Sequence, residues 1–143
     1  MSQDYEGMGN RFKCLNESTY MDEYERERQK LTEDFRESCE SFTVLGDPHR
    51  QRIIMLMLES RCYGMSVQEI TECVNLSRPA VSYHLKVLKQ AGIVTMHRKG
   101  TSNLYCLDVE SDVWHRFRDI TTEVCSIIDR IRANEFPIVP KEE

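Results

Sequence analysis

Proline and glycine are scarce in this 143-residue chain, four and six in number, and tryptophan occurs once. So few breakers exclude collagen-like and low-complexity chains. The composition, 40% hydrophobic and 30% charged, is that of one ordinary globular domain rich in helix formers. Long apolar runs are missing as well. The longest uninterrupted one, Ile53 to Leu58, falls far short of the roughly 20 residues a membrane span needs, so no membrane partner is expected. The first twenty residues carry Asp4, Glu6, Arg11, Lys13 and Glu17 with no apolar stretch between them, so no secretory signal is expected and the location is read as cytoplasmic. Cys14, Cys39, Cys62, Cys73, Cys106 and Cys125 include no CxC or CxxC pair. Free thiols in a reducing compartment follow, with no zinc site from spacing. Four histidines, no Gly-rich phosphate loop and no legible nucleophile-base spacing give no enzyme and no cofactor.

Charge is unevenly placed. The net charge of -5 argues against a nucleic-acid partner when taken whole. Between Ser77 and Asn103, however, stand Arg78, Lys86, Lys89, Arg98 and Lys99 without a single acid, which leaves fourteen of the nineteen bases against all 24 acids elsewhere. A polyanion is attracted to that one segment and repelled by the rest, as at a focused phosphate-binding face.

The periodicity places the segment in a fold. Residues 1–18 lack periodicity and read as a flexible arm, 19–133 as the folded domain and 134–143 as a tail. From Tyr20 to Leu45 the apolar positions Tyr20, Tyr24, Leu31, Phe35, Phe42 and Leu45 predict a long amphipathic helix with a charged opposite face. After Gly46, Asp47-Pro48 is an N-cap and first-turn pair opening a helix to about Ser60, with Arg50 and Arg52 outward and Ile53 to Leu58 central to the core. Ser66-x-x-Glu69 has capping-box spacing and starts a short helix to about Val74. Ser77 caps another, whose buried stripe is Val81, Leu85 and Leu88 and whose stop is Gly92. Two short helices joined by a tight turn make a helix-turn-helix. Ile93–Arg98 and Leu104–Leu107 then predict a hairpin with the polar, basic tip Lys99–Asn103. A last helix is expected from near Asp108 to about Arg132. Its Val113, Phe117, Ile120, Val124, Ile127 and Ile131 step by 4, 3, 4, 3, 4, and Trp114 and Ile128 widen the stripe.

The fold class is therefore mainly α with a small β-hairpin, in the winged helix-turn-helix order α-α-α-α-β-β-α. Two long amphipathic helices at the chain ends suggest a homodimer through Leu31, Phe35, Phe42, Val113, Trp114, Phe117, Ile120, Val124, Ile127 and Ile131. On the second helix of the helix-turn-helix, Ser77, Arg78, Ala80, Ser82, Tyr83 and His84 are placed to meet base edges of double-stranded DNA in the major groove. Arg98 and Lys99 at the tip would meet phosphate or the minor groove, and Lys86 and Lys89 either contact phosphates or stay solvated.

LGDPHRQRIIMLML, LSRPAVSYHLKVLKQAGIV and RKGTSNLYCLD resemble the arsenical-resistance repressor (ArsR) family of bacterial transcription regulators, over roughly residues 31–131. The resemblance implies a repressor that binds a palindromic operator as a homodimer and is released by an effector. The family's metal-binding form carries Cys-x-Cys at the start of the first helix of the helix-turn-helix, where this chain has Ser66 and Gln68. Its second metal site falls on Val109, Ser111, Thr122 and Cys125. A one-residue shift offers Asp108 and Glu110 without a partner histidine, so no metal is expected. Cys39 lies on the apolar side of the first helix and Cys125 beside the seam of the last, which makes a thiol-based redox-sensing repressor one alternative; buried, both are inert small hydrophobes. Cys62, Cys73 and Cys106 read as core or strand positions. A small organic effector leaves no readable signature. A further alternative is a winged-helix protein-interaction module whose acidic arm and first helix engage a polypeptide.

Overall fold

The computed structural model describes residues 17–60 and 63–133. Its elements are α1 (Glu17–Leu45), α2 (Pro48–Glu59), α3 (Val67–Cys73), α4 (Arg78–Gln90), β1 (Val94–Lys99), β2 (Ser102–Leu107) and α5 (Val113–Arg132). This is the expected winged helix-turn-helix order. The arm expected over residues 1–18, apart from its last two, and the tail 134–143 lie outside the described residues, as do Cys14 and Cys62.

The chain divides into two compact units between Arg36 and Glu37, inside α1. In the first, α1 is held by local contacts. The Arg28 guanidinium lies 5.6 Å from the Tyr24 ring centre, and the Thr32 hydroxyl donates to the Arg28 carbonyl at 2.7 Å. Leu31 is half-buried and Phe35 exposed.

The second unit is built from capped helices. Asp47 Oδ1 accepts from the backbone N–H of His49 and Arg50 at 2.9 and 3.0 Å, so two of the orphan donors of α2 are satisfied before the helix begins. Ser66 and Glu69 close the expected capping box at α3, and the Ser77 hydroxyl accepts from Ala80 N at 3.3 Å to open α4. Gly92 ends α4 with φ at 71°. A β-carbon there would stand 2.8 Å from the Ser111 hydroxyl, so both the backbone and the space require glycine.

The core gathers Ile53, Ile54 and Met57 of α2, Ile70 of α3, Val81, Leu85 and Leu88 of α4, and Ile93 and Val94 at the hairpin's root. Each fully buried aliphatic side chain contributes about 1.5–3 kcal/mol, so this stripe fixes α4 on its inner side. The Ile53–Leu58 run is only partly internal, contrary to expectation. Met55 and Leu58 are exposed, because a helix with one packed face turns every third or fourth residue outward. Arg50 differs in the other direction: it is half-buried, and its Nε donates to the Val44 carbonyl at 2.6 Å, satisfying the end of α1.

β1 and β2 pair antiparallel from Val94↔Leu107 to Lys99↔Ser102, so the turn is Gly100-Thr101, shorter than the expected tip. Gly100 takes φ of 62°, as such tight turns demand. The last helix starts at Val113 rather than near Asp108. Asp108 extends the sheet through Ile93, and its carboxylate accepts from Glu110 N at 3.0 Å, a local turn that competes with helix. Within this unit Phe42 stacks on Phe117 at 4.7 Å, and Trp114 meets Phe117 edge-on at 5.9 Å. No helix among the described residues is long and apolar enough to cross a membrane.

Candidate nucleic-acid interface

The buried residues of α4 are Val81, His84, Leu85 and Leu88, a helical spacing of 3, 1 and 3 that fixes which face remains free. Ser77, Arg78, Ser82, Tyr83, Lys86 and Lys89 are exposed, and Ala80 is half-buried beside them. Tyr83 is 61% exposed, so its ring stands outside the core. Ser77 serves as the N-cap, with its hydroxyl engaged by Ala80 N. At the hairpin, Arg98 and Lys99 are exposed, and Arg98 Nε donates to the Gly100 carbonyl at 3.4 Å across the turn. No acidic side chain belongs to either element. A basic helix and a basic turn, each anchored by buried neighbours, can meet phosphates without repulsion from their own elements.

His84 corrects the expectation that it reads bases. It is 8% exposed and belongs to the inner stripe, three residues after Val81 and four before Leu88. That spacing was the available signal, and the polar character of histidine obscured it. Its Nδ1 lies 4.0 Å from Asp47 Oδ1 and has no hydrogen-bond partner, while its ring sits 5.5 Å from the rings of His49 and Tyr83. Burial holds the imidazole below its ordinary pKa. The Asp47 charge opposes that shift, and Arg50 and His49 add to it. Asp47 itself is held below the usual carboxylate range by the Arg50 backbone N–H above all, against the opposing effect of burial, with the Arg50 and His84 charges and His49 N adding. The cluster ties the start of α2 to the inner side of α4, and sequence reading found only its Asp47 cap.

Several expected dimer contacts are occupied inside one chain. Val113 and Ile120 are buried at 6% and 3%, and Phe42 and Phe117 cover each other. The first half of the α5 stripe therefore closes the chain's own fold. Trp114, Val124, Ile127 and Ile131 are half-buried, and Ile128 is exposed. Among the cysteines, Cys39, Cys73 and Cys125 are exposed and Cys106 is half-buried in β2. Cys73 is thus no core position, and Cys39 and Cys125 are not buried hydrophobes.

The metal arrangements of the family do not fit these residues. The Ser66 hydroxyl donates to Glu69 Oε2 at 2.8 Å, Gln68 Nε2 donates to Glu72 at 3.1 Å, and the Thr122 hydroxyl donates to the Arg118 carbonyl at 2.7 Å. Neither a thiolate pair nor an imidazole stands at those positions. Among the described residues, no three His, Cys, Asp or Glu side chains converge on a point that would hold a metal ion.

Comparison with known proteins agrees with the geometry. The family model described as "Bacterial regulatory protein, arsR family" matches residues 47–96, the stretch from the α2 cap into β1. An uncharacterized HTH-type transcriptional regulator of Methanocaldococcus jannaschii is 37% identical over 73 residues, covering 51% of this chain and 80% of that protein. The transcriptional repressor SdpR of Bacillus subtilis is 37% identical over 67 residues, covering 47% of this chain and 71% of SdpR. In structure, an ArsR-like transcriptional regulator from Rhodococcus sp. RHA1 aligns with a TM-score of 0.58 over 71% of this chain and 92% of its own, at 21% identity, which is a likeness of fold. The family and these relatives are transcriptional regulators, which are not enzymes. With its capped helix-turn-helix, basic hairpin and these matches, the chain belongs to the ArsR family of winged helix-turn-helix transcriptional regulators.

Proposed function

We propose that the chain is a transcriptional repressor that binds a palindromic operator as a homodimer in the cytoplasm and is released by an effector. The observation that carries the reading is the acid-free exposed surface of α4 and the β1–β2 turn, in a chain whose net charge is -5. The first turns of α4 enter the major groove, where the Arg78 guanidinium forks onto a guanine edge and Ser82 and Tyr83 reach neighbouring groups. Lys86, Lys89, Arg98 and Lys99 neutralise phosphates. SdpR is a repressor by its name, and the shared helix-turn-helix supports the same sense of action here.

The second half of α5 supports the homodimer. Val124, Ile127 and Ile131 keep part of their apolar surface in solvent beside Ile128, and pairing across a two-fold axis with α1 covers them. Two recognition helices so related ask for half-sites about one helical turn apart. Cys39 on α1 and Cys125 on α5 are both exposed, so oxidation is the form of release to test first. A Cys39–Cys125 linkage in non-reducing mass spectrometry, together with weakened DNA binding, is the expected result.

Titration of the purified protein against DNA from upstream of its own gene, at several salt concentrations, tests the function. Micromolar or tighter binding that weakens steeply with salt is expected, since each phosphate neutralised releases counterions. Absent or salt-independent binding contradicts the reading.

A further inference from the structure

One face of the hairpin carries a pair of reactive groups that the DNA reading does not use. In the β1–β2 register Thr95 stands opposite Cys106 and His97 opposite Leu104, which makes Cys106 and His97 diagonal neighbours on the same face. The Cys106 sulfur lies 4.0 Å from His97 Nδ1, within reach of a weak hydrogen bond from the thiol when the ring proton is on Nε2. Another edge of the imidazole rests beside Gly64. That residue has φ of 143°, and a β-carbon on it would come 3.2 Å from His97 Cε1 and 3.0 Å from Leu104 Cβ. The next residue, Met65, exchanges two backbone hydrogen bonds of 2.8 Å with Tyr105, so the glycine that backs the ring is itself fastened to the hairpin. A nucleophile thus faces a base held within hydrogen-bond reach, the arrangement that activates a weak nucleophile.

We propose that Cys106 and His97 form a thiol-exchange site at which low-molecular-weight disulfides modify the hairpin. The Cys106 thiol gives its proton to His97 Nδ1, and the sulfur attacks one sulfur of the incoming disulfide. A new S–S bond forms as the old one breaks. The departing thiolate keeps the bond's electron pair and takes the proton from the imidazolium, so the reagent's second half leaves as a free thiol. Cys106 is oxidised to the disulfide level, the leaving sulfur is reduced, and no other reactant is needed. Arg98 and Lys99, exposed on the same hairpin, favour a disulfide that carries carboxylates, such as glutathione disulfide.

Exposure and activation predict opposite orders of reaction. Cys73 and Cys125 are exposed and Cys106 is half-buried, so access alone makes Cys106 slower. Incubation of the reduced full chain with glutathione disulfide, followed by peptide mass mapping over time, is expected to show Cys106 modified first. His97→Asn is expected to slow Cys106 by about tenfold while leaving Cys73 and Cys125 unchanged. Modification of Cys106 no faster than Cys73 and Cys125 overturns the proposal, as does a rate indifferent to His97→Asn in a variant that melts like the parent. Should that variant fail to fold, the order in the parent protein decides the matter alone. The consequence for DNA rests on the proposed function: the adduct, bulky and negative on the hairpin face that also carries Lys99, is expected to weaken operator binding by about tenfold. An adduct that binds as tightly as reduced protein overturns that consequence. Reduced protein that does not bind DNA instead overturns the DNA reading, and the labelling order still judges the site.

Discussion

α4 and α5 are both amphipathic, yet they use their apolar faces differently. Val81, Leu85 and Leu88 of α4 are wholly buried within the chain, so the opposite face is presented at a fixed angle with its charges outward. α5 buries Val113 and Ile120 in the same way, but from Val124 onward its stripe is only half-covered and Ile128 is 41% exposed. The contrast separates two tasks along the chain. A helix whose apolar face is fully enclosed leaves its polar face to choose a ligand. A helix whose apolar face is half-enclosed leaves that face to choose a partner.

Core truncation gives the sharpest test of the contrast. Leu85→Ala is expected to lower unfolding stability by about 2–5 kcal/mol in urea denaturation, whereas Ile128→Ala in the monomer changes it by less than about 1 kcal/mol. Equal losses would abolish the distinction. Next in size, Ile127→Glu is expected to weaken self-association at least about tenfold in analytical ultracentrifugation while the helical circular dichroism is kept, because the charge is desolvated only when a partner covers it. A chain that is monomeric before and after the substitution would show that the exposed half of α5 has another use.

The smallest effect concerns the inner side of α4. Burial holds His84 below its ordinary value of 6.5, so the unfolded chain takes up the proton more readily than the folded one. The contribution is complete above that unfolded value and is lost as pH falls through it toward the folded pKa. Thermal melts from about pH 7.5 to about pH 5 are therefore expected to fall less steeply for His84→Gln than for the parent. An unchanged slope would mean that His84 is not desolvated.

Local chemistry explains which parts of this architecture sequence could reveal. Asp47-Pro48, Ser66-x-x-Glu69, Ser77 and Gly92 each act through their own backbone neighbourhood, so the helix boundaries they set were legible. The start of α5 was not, since the Asp108 carboxylate bonds to Glu110 N and the choice between turn and helix depends on Ile93 receiving Asp108 across the hairpin. Arg50 and His84 were misplaced for the same reason. The Arg50 guanidinium donates to the Val44 carbonyl at the end of α1, and the His84 ring is buried 4.0 Å from the Asp47 carboxylate at the cap of α2, neighbours that other elements supply. The α4 surface was legible as charge and as period, with His84 the exception where period should have outweighed polarity. The Phe42–Phe117 stack escaped notice because a seven-residue repeat records that a stripe is covered without recording which element covers it.

The central claim is that the basic face of α4 and the hairpin turn engages duplex phosphates from two protomers, and the salt dependence of binding measures this most directly. Operator titrations of the parent and of the Arg98→Ala, Lys99→Ala double variant should give log-log salt slopes that differ by about four, one for each cation removed from the pair of hairpins. Identical slopes, with the parent binding its operator, would contradict the account.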